Sequence, residues 1–163
     1  MNIVNVGYDS TNYYLLVIGK TYLMVDGGWP KTLPKLENAC RRKGLALQQM
    51  AYLLVTHYHP DHAGLVQELT GQGTRLLVPE NQQAAAPALG GNIELSFAES
   101  RNFLGKLGLP GEIIVTPGHS DDSVSLILDE GLAFTGDLGP LLDGGPNQAT
   151  IKSWERIRAL PAR

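Results

Sequence analysis

At 163 residues, 43% hydrophobic and 18% charged, the chain has the profile of one compact globular domain with a sizeable core, not of a disordered segment. A formal charge of −3 leaves no basic footprint for nucleic acid, and the lone Cys40 excludes an internal disulfide. The N-terminus shows no charged segment followed by an apolar one, and no apolar run approaches a membrane span, so a cytoplasmic protein without nucleic-acid or membrane partners is expected.

Short β-rich runs open the chain: Ile3 to Val6, Tyr13 to Ile18 and Thr21 to Val25, with Gly19-Lys20 as a tight turn. After the loop Asp26-Gly27-Gly28, Leu33, Leu36, Ala39 and Cys40 recur at helical spacing between Thr32 and Lys43, with Pro34 tolerated in the first turn and Gly44 as a C-cap. Cys40 shares the apolar face and reads as buried. A continuous apolar strand, Ala51 to Val55, leads into Thr56. Leu65, Val66 and Leu69 then predict a short helix stopped by Gly71, followed by a strand from Thr74 to Val78.

Glu80 to Gly108 reads as one or two helices broken at Gly90-Gly91, with Ala84 to Ala86 and Phe103-Leu104-Leu107 as apolar faces. Strands return at Glu112 to Thr116, Ser123 to Leu128 and Leu132 to Thr135. A glycine-rich loop, Gly139 to Pro146, precedes a final helix from Gln148 to Leu160. Several strand neighbours are joined by turns too short for a parallel crossover, so a mixed α/β domain spanning 1–163 with largely antiparallel pairing is expected.

Three of the four histidines fall in one segment, THYHPDHAG, from Thr56 to Gly64. In extended backbone His57 and His59 point to one side and Tyr58 to the other. Pro60 turns the chain, so Asp61 and His62 open the next helix and approach the same space from another angle. Imidazoles with a carboxylate suit zinc, manganese or iron(II) better than calcium or magnesium. His119, in TPGHSDDS, follows a predicted strand and a Pro117-Gly118 turn, and Asp137, in FTGDLG, ends another strand. Either alone reads as a turn residue; three strand ends with ligand-type side chains read as a metal site. Tyr8, Asp9, Ser120, Asp121 and Asp122 fall in loops that would line a cleft mouth.

THYHPDHAG resembles the HxHxDH signature of the metallo-β-lactamase fold superfamily, and TPGHS and FTGDLG resemble its second-histidine and bridging-aspartate motifs, in the expected order. The resemblance implies an αββα sandwich with the metal site along one edge. It implies His57, His59 and His119 on a first metal, Asp61 and His62 on a second, Asp137 bridging, and Asp26 orienting ligands from behind. The family's pattern has a further histidine on a later strand. No histidine follows His119 here, so a C-terminally shortened sandwich with a second site one ligand short is expected, together with a possible homodimer through the exposed edge.

The function so implied is a metal-dependent, glyoxalase II-like hydrolase using metal-activated water, with Asp61 as the catalytic proton acceptor. Its substrate would be a small ester, thioester, lactone or phosphoester, and its cofactor one or two zinc ions, with iron or manganese as alternatives. A mononuclear iron oxygenase of the persulfide-dioxygenase type and a metal-binding module with weak or no turnover are the alternative readings.

Overall fold

The computed structural model describes residues 2–141 and 147–160, and the chain forms two compact units, Met1–Val78 with Pro87–Ile93, and Pro79–Ala86 with Glu94–Arg163. In the first unit, β1 (Asn2–Asn5), β2 (Tyr14–Ile18) and β3 (Thr21–Val25) form an antiparallel meander. The β2–β3 hairpin closes through Gly19 and Lys20, with Ile18 opposite Thr21 and Gly19 at φ 59°, the left-handed geometry two-residue hairpins require. Helix α1 (Leu33–Arg42) buries Leu36, Ala39 and Cys40, and carries the chain over to β4 (Met50–Leu54), which pairs parallel with β3. Burial pushes the Cys40 thiol up to about 11, as expected for a packing residue.

After β4 come two short helices, α2 (Pro60–Ala63) and α3 (Val66–Gly71), and then β5 (Arg75–Pro79), again parallel to β4. Antiparallel pairing thus holds wherever hairpins connect strands, and β3-β4-β5 is parallel because helices make the connections. Leu23, Met24, Leu53, Leu54, Leu76 and Leu77 are fully buried, so these central strands carry apolar residues on both faces.

The segment expected to be helical around Ala84 to Ala86 is not an α-helix. A single 3-10 turn at Glu80–Gln82 is followed by turns, with the Ala85 and Ala86 amides both reaching the Gln82 carbonyl, and then by strand β6 (Ile93–Leu95). Pro87, directly after the three alanines, blocks continuation of a helix toward Leu89.

In the second unit, α4 (Phe97–Leu107) starts at a capping box: the Ser96 side chain accepts from the Glu99 amide, and the Glu99 carboxylate accepts from the Ser96 amide. Gly108 ends it at φ 82°. Strands β7 (Gly111–Val115), β8 (Val124–Leu128) and β9 (Leu132–Phe134) make an antiparallel sheet, and Ser100 of α4 bonds the Ile113 amide of β7 at 3.0 Å. Arg101 forks onto both Asp129 oxygens at 3.0 and 2.9 Å and reaches Glu112 at 2.6 Å, tying α4 to the β8–β9 turn. Helix α5 spans Gln148–Ala159. Residues 142–146 of the glycine-rich loop lie outside the described residues, and no helix among the described residues is long and apolar enough to cross a membrane.

Removing the capping box by Ser96→Ala should destabilise the protein by about 1 kcal/mol. Urea unfolding reads this as a lower midpoint with an unchanged slope.

Candidate metal centre

The histidine motif begins where β4 ends. The Asp26 amide donates to the Leu54 carbonyl at 2.9 Å, extending the β3–β4 pairing by one step, and Val55, Thr56 and His57 are all buried. His57 and His59 meet edge to face with ring centroids 4.6 Å apart, and the His62 ring lies 4.1 Å from that of His57. His59 and His62 therefore both pack against His57, in the loop beyond the end of β4 at Leu54. The amides of His62 and Ala63 both donate to the His59 carbonyl, at 3.0 and 2.9 Å, so α2 folds back directly from the second histidine.

Gly64 closes the motif for a packing reason. A Cβ there would press into Pro30 and the Pro60 carbonyl, so only glycine lets α2 sit against the 26–30 loop. That loop is fixed in turn by the Gly27 amide, which donates to the His62 carbonyl at 2.6 Å.

Behind the imidazoles stands Asp26, fully buried at φ 64°. Its Oδ1 accepts from the Thr56 amide at 2.7 Å and from the Thr56 hydroxyl at 3.0 Å; its Oδ2 lies 2.9 Å from His62 Nδ1. Burial pushes the Asp26 carboxyl up, against the opposing pull of His62 and Thr56. The Thr56 hydroxyl also lies 3.2 Å from His57 Nδ1. One carboxylate thus holds His62 directly and His57 through Thr56. With the Nδ1 edges turned toward this support, the Nε2 atoms are the ones presented to the cluster.

Asp61 sits beside the imidazoles, its Oδ2 3.5 Å from His62 Nε2 and 2.9 Å from the Thr11 hydroxyl, which donates to it. Burial opposes its charged form, but the Thr11 hydrogen bond, its own backbone and the neighbouring His62 and His57 outweigh this and hold the carboxyl below its usual value. Thr11 and Thr56 are the site residues that motif reading missed. Thr56 immediately precedes His57 and signals its role only by adjacency, and Thr11 carries no local signal.

In the second unit, His119 follows β7 and Asp137 follows β9, with His119 Nε2 3.7 Å from Asp137 Oδ2. Helix α5 fixes the turn before His119: Asn147 donates to the Gly118 carbonyl at 2.8 Å and Ser153 to the Pro117 carbonyl at 2.7 Å. Gly118, at φ 149°, passes so close to Thr150 that a side chain would collide. Trp154 donates its indole N–H to the Gly139 carbonyl at 2.8 Å, anchoring the loop beyond Asp137. Ser120 and Asp122 bond to each other at 2.6 Å, which ties them into the loop's own structure.

Imidazoles gathered beyond a strand end, a neighbouring carboxylate and a buried carboxylate behind the rings are a donor set that could hold a metal ion, and its chemistry fits a borderline ion such as zinc. A profile of the metallo-beta-lactamase superfamily matches residues 6–163, and the chain belongs to that superfamily. Among curated relatives, a hydroxyacylglutathione hydrolase from Albidiferax ferrireducens is 30% identical over 173 aligned positions, covering 99% of this chain and 62% of that protein. A beta-lactamase-like protein 2 homolog from Drosophila melanogaster is 28% identical, covering 79% of this chain and 47% of that one. The chain spans about half the length or less of several curated relatives it matches.

Among solved structures, a metallo-beta-lactamase family protein from Thermus thermophilus has a TM-score of 0.67 at 24% identity, over 94% of this chain and 66% of that one. A subclass B3 metallo-beta-lactamase of Bradyrhizobium japonicum has a TM-score of 0.70 at 19% identity, over 97% and 69%. The fold is that of the superfamily.

Asp26→Ala should destabilise the metal-free protein by about 2 to 3 kcal/mol, because it strips the buried Thr56 amide and the His62 ring of their acceptor. Denaturant unfolding in the presence of a chelator measures this. A loss below about 0.5 kcal/mol would mean that the buried carboxylate is not what holds the motif in place.

Proposed function

We propose that the protein is a metal-dependent hydrolase acting on a small ester or thioester, with lactones and phosphoesters as the next substrate classes. The observation that carries this is the convergence of His57, His59 and His62 beside Asp61, with Asp26 and Thr56 behind them. His57, His59 and His119 would hold one zinc ion, Asp61 and His62 a second, and Asp137 would serve both. Hydroxyacylglutathione hydrolases among the relatives, at 30% and 33% identity, support ester or thioester cleavage.

Bound zinc supplies Lewis-acid polarisation and lowers the pKa of water to about 7, so no serine or cysteine nucleophile is required. The chain's own residues do the rest. Asp26 and Thr56 fix the faces of His62 and His57. Asp61, kept charged by the Thr11 hydroxyl and the adjacent imidazoles, is placed to accept a proton at its carboxylate. Burial of His57 and His62 limits water around these donors, whereas His59 is exposed.

The test is elemental analysis of protein purified without added metal, followed by zinc reconstitution and a panel of esters, thioesters, lactones and phosphodiesters. Zinc-dependent ester or thioester cleavage is expected. One iron per chain with oxygen consumption would replace the reading with an oxygenase, and metal uptake without turnover on the panel would replace it with a binding module.

Two further outcomes are expected. His57→Ala should abolish most zinc binding, since it deletes a buried imidazole from the first ligand set, while Tyr58→Phe leaves metal content unchanged. Calorimetric titration of metal-free protein should resolve a tight equivalent of zinc and a weaker one, because three imidazoles serve the first position and a single imidazole the second. Two equal tight sites would contradict the ligand division.

A further inference from the structure

The loop between β1 and β2 reaches the histidine motif with one side chain. Thr11 donates its hydroxyl proton to Asp61 Oδ2 at 2.9 Å, across fifty positions of chain. The loop is built to hold that hydroxyl in place. The Val6 amide donates to the Tyr13 carbonyl at 2.8 Å, and Tyr8 and Thr11 form an antiparallel bridge between these ends. Asn5 accepts from the Gly7 amide at 2.7 Å and donates to the Asn12 side chain at 2.8 Å. The two limbs approach so closely that a Cβ on Gly7 would lie 2.7 Å from the Thr11 carbonyl oxygen, so glycine is required there. The loop is also fastened to the start of α1, by the Tyr8–Thr32 hydroxyl pair at 2.6 Å and the Lys35–Asp9 ion pair at 2.8 Å.

What the Thr11 bond contributes is orientation more than stability. The Asp61 side chain is 23% exposed, so water can replace the threonine hydroxyl at the same oxygen with little cost to the folded chain. A carboxylate held only by water turns readily, because its terminal torsion has a broad, two-fold profile with no sharp well. Thr11 selects one rotation. The oxygen it holds is the one 3.5 Å from His62 Nε2, and that oxygen keeps lone-pair capacity for a cation beside the imidazole.

We infer that Thr11 is a positioning residue for Asp61: its hydroxyl fixes the rotation of the carboxylate and thereby sets the affinity of the weaker zinc position. This rests on the metal-binding reading above, and it assigns the support of that position to a loop outside the histidine motif. Outer hydrogen bonds of this kind orient ligating carboxylates, and their loss typically lowers metal affinity about 10- to 100-fold.

The experiment is chelator-competition titration of zinc into metal-free parent protein, Thr11→Val and Thr11→Ser, with thermal unfolding of each metal-free form. Thr11→Val keeps the shape of the side chain and removes its hydroxyl. It should weaken the lower-affinity zinc equivalent about 10- to 100-fold while leaving the tight equivalent and the metal-free unfolding midpoint close to the parent's. Thr11→Ser, which returns the hydroxyl, should recover most of the lost affinity. A purely structural role for Thr11 would instead lower the midpoint and weaken both equivalents alike. That result, parent-like affinity for the weaker equivalent in Thr11→Val, or no recovery in Thr11→Ser would overturn this inference alone. A parent that takes up no second zinc equivalent would overturn it together with the assignment of Asp61 and His62 to a metal.

Discussion

The site depends on one buried carboxylate. Asp26 lies at the end of β3 with a positive φ, 3% exposed, where an isolated charge would be strongly disfavoured. It is tolerated because both oxygens are satisfied: Oδ1 takes the Thr56 amide, the Thr56 hydroxyl lies 3.0 Å from each oxygen, and Oδ2 faces His62 Nδ1. Since the Asp26 amide continues the β3–β4 ladder and the Gly27 amide reaches the His62 carbonyl, the strand end, the histidine loop and α2 are held from a single corner. The parallel pairing of β3 with β4 makes this possible, because it brings the ends of both strands, and the loops that follow them, to the same edge.

The second unit arranges its donors by a different device. His119 and Asp137 are exposed, unlike His57 and His62. Here α5 and its cap supply Asn147, Ser153 and Trp154, each donating to a backbone carbonyl of the loops that carry the two residues. Side chain to backbone bonds fix the course of a loop. His57 and His62 are held at their rings, and the loops carrying His119 and Asp137 are held at their backbone.

Most strands and three long helices were legible because hydrophobic period and turn residues agree there: Gly19-Lys20, Asp129-Glu130-Gly131 and the α1 stripe each act locally. The donor residues of the histidine motif were legible for the same reason, being clustered within six positions. The 80–95 stretch was misread because alanine favours helix intrinsically while helices in proteins need an apolar stripe to bury, and short β6 has too few residues to show alternation. Parallel pairing of β3-β4-β5 is a property of connections and not of any strand's own sequence. Thr11, which lies fifty residues from Asp61 in the chain, belongs to the same class of information: only folding creates the contact.

Asp26 and Thr11 support neighbouring donors under opposite dielectric conditions. Around Asp26 almost no solvent enters, so its hydrogen bonds are strong and the loss of any one leaves a buried group unsatisfied. Asp61 keeps 23% of its side chain exposed, so water competes with Thr11 for the same oxygen. A single hydroxyl in such a place holds a carboxylate weakly. The motif residues therefore differ in stiffness because their surroundings differ: His57 and His62 are locked from a dry interior, and Asp61, the residue assigned the proton, is held by a bond that solvent can exchange.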